Sequence, residues 1–271
     1  MRPRGLAVAA AATALLALLV LAGCAQSVDP IERLGKKAAE RVHPHGAAAA
    51  PAHRRWGLAT PLAPAPRHPL PGGPSRSAPP RVVDRVPTRD PVVFLTYDDG
   101  AERDPRFVDM VRELRLPVSM FLTDSVVGPG YGHFARLRAV GADLENHTLD
   151  HAALRGLPPA GQRAEICGQQ DKLHARFGVR PRLFRPPYGT YDTTTLRAAA
   201  DCGITAVVLW RAAMGPAELT FTHGPHRLLP GDIVTVDPDE LSGPGLRERT
   251  TRLLRAVQGQ GLTVGHLEDY L

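Results

Sequence analysis

The chain is poor in aromatic side chains and nearly without lysine. Its 271 residues hold two Trp, five Tyr and seven Phe, with three Lys beside 30 Arg. A formal charge of +6 raises the question of a nucleic-acid partner, but the charge is unevenly placed. Residues 1–91 carry 13 basic and 5 acidic side chains, whereas residues 92–271 carry 20 and 22. A nucleic-acid groove needs its basic surface on the folded domain itself, so a slightly acidic, aromatic-poor second part argues against one. The arginine excess is ascribed to coding composition, since no cluster in the second half forms a stripe. Residues 92–271 also lack an internal repeat.

The leader reads as a targeting segment. Arg2 and Arg4 precede an uncharged apolar run from Leu6 to Ala22, as in the n-region and h-region of a signal peptide. At 17 residues the run is at the short limit for a transmembrane helix. Leu21-Ala22-Gly23-Cys24 resembles the bacterial lipobox, which implies cleavage before Cys24 and lipidation of its sulfur. Residues 1–23 are therefore expected to be a lipoprotein signal peptide, and the mature chain a protein anchored by lipid on the outer face of a bacterial membrane.

Residues 24–91 are expected to be a tether, mostly disordered. Asp29-Pro30-Ile31-Glu32 has the form of a helix start, but so short a helix is marginal alone. From Pro44 to Pro91 there are 12 prolines among 48 residues, mixed with Ala, Arg, Gly and Ser. Such a composition cannot bury a core and favours extended chain.

From Val92 short apolar runs alternate with helical patterns, the signature of β-α units and an α/β domain over residues 92–271. Strands are expected at Val92–Tyr97, Val118–Thr123, Asp143–Asn146, Arg182–Phe184, Ile204–Trp210, Ile233–Val236 and Leu262–Val264. Helices are expected from Asp104-Pro105, over Phe134–Val140, Pro158–Phe177, Thr193–Cys202 and Leu246–Gln258.

The residues with chemistry follow strands, where α/β active sites collect. Asp98-Asp99-Gly100 follows the first strand; neighbours on an extended chain face opposite ways, so one carboxylate can hold a metal while the other faces elsewhere. The same dipeptide suits a plain turn. His147 and His151 share a face if their segment is helical, and two imidazoles with one carboxylate suit zinc or a similar divalent ion. Arg185-Pro186-Pro187-Tyr188-Gly189 follows a third strand, and its prolines and glycine make the loop rigid.

In this order the segments resemble the motifs of the polysaccharide deacetylase family, carbohydrate esterases that share the chitooligosaccharide deacetylase domain. Thr96 to Gly100 is similar to the first motif with Tyr97 for Phe, His147 to His151 to the second, and Arg185 to Gly189 to the third. The resemblance implies a distorted, incomplete (β/α) barrel. It also implies metal ligands Asp99, His147 and His151, with Zn2+ the expected ion, and Asp98 as general base. Arg185 would pair with Asp98, and the Tyr188 backbone N–H would bind the oxyanion. The implied activity is removal of acetyl groups from a cell-wall or chitin-like glycan; separately, the chain is expected to be a monomer.

The last two motifs depart from the family. Asp237 stands where a histidine acid is usual, Thr235 where leucine is usual, and the Arg211-Ala212-Ala213-Met214 segment lacks the aspartate that orients that histidine. An ordinary aspartate is ionised at neutral pH and makes a poor acid. Trp210 reads either as a strand-end core residue or as a sugar platform, and His223, His226 and His266 are the remaining histidines near in sequence. Two other readings stay open: a degenerate glycan-binding domain without turnover, and an esterase acting on O-acetyl groups of a xylan-type substrate. Cys167 and Cys202, flanking the third motif, read as a disulfide pair in an exported protein or as two buried thiols.

Overall fold

Side-chain alternation along the strand Val92–Tyr97 feeds two of three buried clusters. The computed structural model describes residues 50–68, 79–100, 103–237 and 245–271. Along β2, after β1 (Arg81–Val83), the strand Val92–Tyr97 sends Val93, Leu95 and Tyr97 into one buried cluster and Val92 and Phe94 into another. The first cluster lies under helices that supply Phe107, Met110, Phe134, Leu253 and Val257. The second holds Phe121, Leu183, Val208 and Ile233 and fills the inside of the sheet. A strand buried on both faces in this way is typical of a parallel sheet covered by helices.

The other strands are β3 (Ser119–Leu122), β4 (Asp143–Asn146), β5 (Leu183–Phe184), β6 (Ala206–Val208), β7 (Ala212–Met214), β8 (Leu219–Phe221), β9 (Ile233–Val236) and β10 (Thr263–Val264). They run in the order β1-β6-β5-β4-β3-β2-β9-β7-β8, with β10 beside β2, and the sheet curls strongly into a partial barrel. Every pairing is parallel except the β7–β8 hairpin. That hairpin is absent from the sequence expectation because its strands are three residues each, too short to show a period.

Seven helices are described: α1 (Ala52–Arg55), α2 (Pro105–Leu114), α3 (Asp124–Val127), α4 (Tyr131–Ala139), α5 (Pro159–Phe177), α6 (Thr193–Asp201) and α7 (Leu246–Gly259). Helix α2 starts as its sequence signals, with Asp104 accepting from the Arg106 amide at 2.8 Å and Pro105 at the first position. Helix α6 is opened by a capping box between Asp192 and Thr195. Cys167 on α5 and Cys202 at the end of α6 are joined by a disulfide, with 5.1 Å between their Cα atoms.

Contacts group Pro51–Leu271 as one unit, so the folded part begins well before Val92. Residues 50–68 and 79–91, assigned by composition to a disordered tether, are packed on the barrel. Trp56 and Leu58 are buried against the helix-side core. The Trp56 indole N–H donates to Glu113 at 2.8 Å, and Gln258 donates to the Thr60 carbonyl at 3.0 Å. Strand β1 extends the sheet beside β6. Proline-rich chain needs few internal contacts to be ordered when a neighbouring surface supplies apolar pockets and donors, and composition cannot see that surface. The expected signal peptide, Cys24 and the expected helix start at Asp29–Glu32 lie outside the described residues. No helix among the described residues is long and apolar enough to cross a membrane.

Candidate active site

Strand register assembles the site. Tyr97 pairs with Val236 across β2 and β9, so Asp98 and Asp237 leave neighbouring strand ends together. Asn146 pairs with Phe184 across β4 and β5, which does the same for His147 and Arg185. All four emerge at the C-terminal end of the sheet.

Asp99 and Gly100 both take positive φ, 65° and 85°. A Cβ on Gly100 would come within 2.5 Å of Val127, so only glycine fits there. This turn aims Asp98 and Asp99 at different partners. Asp99 Oδ1 lies 3.3 Å from His147 Nε2 and 3.1 Å from His151 Nε2. The two histidines do not sit on a helix. They lie in an irregular loop in which Thr148 and His151 have φ of 71° and 57°, and those two backbone turns bring the imidazoles to one point. The helical premise behind their spacing is thus replaced by a left-handed loop.

The donor set fits a divalent cation. His147 Nδ1 is 2.7 Å from the Arg185 carbonyl, an atom that can only accept, so Nδ1 carries the proton and Nε2 presents its lone pair to Asp99. Asp99 Oδ1 is buried and makes no hydrogen bond. Electron-pair donors that converge on one point suit a cation between them. Burial by itself would raise the Asp99 pKa, but its interactions with His147 and His151 outweigh that and hold it well below the usual carboxylate range. The same contact with Asp99 raises His151, against its partial burial.

Asp98 is held by a separate network. Arg185, with no exposed side-chain surface, donates from Nη1 to Asp98 Oδ1 at 2.6 Å and to Thr96 Oγ1 at 2.9 Å. Its Nε and Nη2 donate to the Val208 and Leu209 carbonyls at 3.1 and 3.2 Å. The Phe121 ring lies 4.3 Å and the Trp210 ring 5.4 Å from the guanidinium carbon. Thr235 Oγ1 donates to the other Asp98 oxygen at 3.3 Å. Thr235 was singled out in the sequence only as a departure from leucine. Its role comes from the parallel register Thr96 with Thr235, which puts both hydroxyls below the same carboxylate.

Tyr188 has φ of 59° and an exposed side chain whose ring centroid is 4.9 Å from that of His151. Trp210 is half-buried, packed between Arg185 and Gly189, so it forms part of the wall beneath the Tyr188 loop. Asp237 is half-exposed at the end of β9, with its carbonyl accepting from Arg249 at 2.7 Å and its carboxylate 3.9 Å from the same guanidinium. None of the three spare histidines joins the site: His223 bonds to Asp84 at 2.6 Å, His226 stacks on Phe221, and His266 lies 3.2 Å from Asp143 at the start of β4.

A partial β/α barrel carrying an Asp-His-His cluster beside an Arg-held carboxylate defines a class of hydrolytic site, and comparisons with known proteins agree. Residues 85–207 match the family model described as polysaccharide deacetylase. The chain belongs to the polysaccharide deacetylase family. It is 59% identical over its whole length to an uncharacterised protein of Streptomyces coelicolor, covering 98% of that protein. Over 47% of this chain it is 29% identical to a chitooligosaccharide deacetylase of Sinorhizobium fredii, of which 60% is covered. Among solved structures, a family 4 carbohydrate esterase pseudoenzyme from Bacillus anthracis superposes with TM-score 0.61 at 18% identity, over 73% of this chain and 72% of that one. The last likeness speaks for the fold alone.

Proposed function

We propose that this protein is a metal-dependent hydrolase that removes acetyl groups from an N-acetylated cell-wall glycan. The observation that carries the reading is the Asp98–Arg185 pair at 2.6 Å beside the Asp99, His147 and His151 cluster. A base, its positioning arginine and three ligand atoms within reach of one ion are what turnover needs beyond sugar binding.

Asp99, His147 and His151 would hold the ion, with Zn2+ suited to two imidazoles and a carboxylate. When bound, such an ion supplies Lewis acidity to an acetyl carbonyl and to water. Asp98 takes the proton of the attacking water. Arg185 and Thr235 fix that carboxylate from two sides, so only a small arc of approach is left to the proton. The Tyr188 backbone N–H stabilises the oxygen as it gains charge, and the exposed Tyr188 ring beside His151 offers a face for the sugar. Asp237 follows β9 as Asp98 follows β2, in register, and stands where the family's acid is usual. The name of the Sinorhizobium relative supports an amide-acetylated, chitin-like glycan. The leader motif ending in Cys24 and the basic segment behind it support lipid anchoring on the outer membrane face, with peptidoglycan the first glycan met.

One observation favours a second reading. Where the family's histidine acid is usual stands Asp237, half-exposed, with its carboxylate 3.9 Å from the Arg249 guanidinium. An alkoxide leaves without prior protonation more readily than an amine, so O-acetyl groups would tolerate this arrangement. The test is acetate release by Zn2+-loaded protein from N-acetylglucosamine oligomers, peptidoglycan, acetylated xylan and an aryl acetate, with Asp99→Ala and Asp237→His alongside. Turnover of the N-acetylated substrates abolished by Asp99→Ala upholds the proposal. Turnover of the esters alone selects the second reading. Inactive wild type with activity gained in Asp237→His makes the natural chain a degenerate domain.

A further inference from the structure

A second cluster of ligating side chains lies at the other end of the barrel. Asp143 opens β4 and Glu145 follows it two residues on, while Ser119 opens β3 in register with Asp143. The C-terminal segment brings His266 and Glu268 over these strand starts. One ligand atom from each of Asp143, His266 and Glu268 lies within 4.8 Å of the other two. His266 Nδ1 is 3.2 Å from Asp143 Oδ2, and Ser119 Oγ donates to Glu268 Oε1 at 2.7 Å. Glu268 Oε2 is buried and has no hydrogen-bond partner. Glu145, itself 5% exposed, accepts among the described residues only from the Leu183 amide, at 3.2 Å.

Three carboxylates thus converge with one imidazole. Among the described residues no Arg or Lys side chain hydrogen-bonds to any of the three. Arg138 and Arg182 line an adjoining cavity of about 320 Å³, which Asp143, Glu145 and Glu268 also border and which gives access from solvent. Carboxylates packed this closely are stable only with a cation or a proton between them.

We infer that Asp143, His266 and Glu268 form a second divalent-cation site, with Glu145 behind it. Two carboxylates and one imidazole make a harder donor set than the two imidazoles and one carboxylate of the active site, so this site suits Mn2+ relatively better and Zn2+ relatively less. The C-terminal turn supplies two of the ligands, and the ion would pin it to the starts of β3 and β4. Nothing in this assignment depends on catalysis.

Equilibrium dialysis of the full chain against Mn2+ and, separately, Zn2+, with bound metal counted by mass spectrometry, tests it. The expected result is two ions per wild-type chain, one in Asp99→Ala, and one in the His266→Gln/Glu268→Gln double variant. Melting of Asp99→Ala should still rise on adding Mn2+, and this rise should vanish when Glu268→Gln is added to it. An Asp99→Ala chain that holds none, or a double variant that keeps as many ions as the wild type, overturns the assignment. Should the double variant fail to fold, the Asp99→Ala count and its Mn2+ response decide alone.

Discussion

Replacing Arg185 by lysine keeps the charge and removes the fork. The arginine bonds to four acceptors at once: the Val208 and Leu209 carbonyls, Thr96 and Asp98. A lysine ammonium at this buried position can follow the charge of Asp98 but cannot reach both strand-end carbonyls and Thr96 from one point. At about 1 kcal/mol per lost bond, three lost partners cost about 3 kcal/mol. For a domain of this size that lowers Tm by about 6 to 12 °C. Arg112→Lys is the control, because Arg112 pairs with Asp109 on an exposed helix face at 2.5 Å. Such surface pairs contribute below about 1 kcal/mol, so its Tm should move by no more than about 4 °C. Differential scanning calorimetry of the two variants and wild type, with the disulfide intact, makes the comparison. A loss in Arg185→Lys no larger than that in Arg112→Lys would refute the claim that a multiply bonded guanidinium holds this end of the barrel.

Two further perturbations bear on other parts of the fold. Trp56→Ala removes a buried side chain and its 2.8 Å bond to Glu113, so urea unfolding should show a loss of about 3 to 5 kcal/mol; an unchanged midpoint would mean that residues 50–68 are not part of the folded unit. Asp192→Ala removes the cap of α6, at a cost of about 1 kcal/mol at neutral pH. The Thr195 amide chiefly lowers the Asp192 pKa, so this contribution is present above about pH 4 and is lost as the carboxyl protonates in acid. The gap between wild type and variant should narrow between pH 7 and pH 3, and a constant gap would remove the ionised cap from the account.

The sequence by itself determined the main β-α order from Val92 onward and named the polar residues that gather at the site. Short β-rich apolar runs mark β2 and β9, Asp104-Pro105 marks the start of α2, and three short motifs after strands name Asp98, Asp99, His147, His151 and Arg185. These are local features: periodicity, caps and chemically unusual dipeptides survive in one dimension. Tertiary structure decided how they meet. The two histidines converge through left-handed backbone at Thr148 and His151, not through a helical turn, and a positive φ outside glycine leaves no mark in composition. Thr235 reaches Asp98 because two strands nearly 140 residues apart are in parallel register. Residues 50–68 are ordered by a surface made from α2, α7 and the C-terminal segment, so their proline-rich composition gave the wrong boundary at Val92. The cluster of Asp143, Glu145, His266 and Glu268 is likewise invisible along the chain, because its members are joined only when the C-terminus closes over the strand starts.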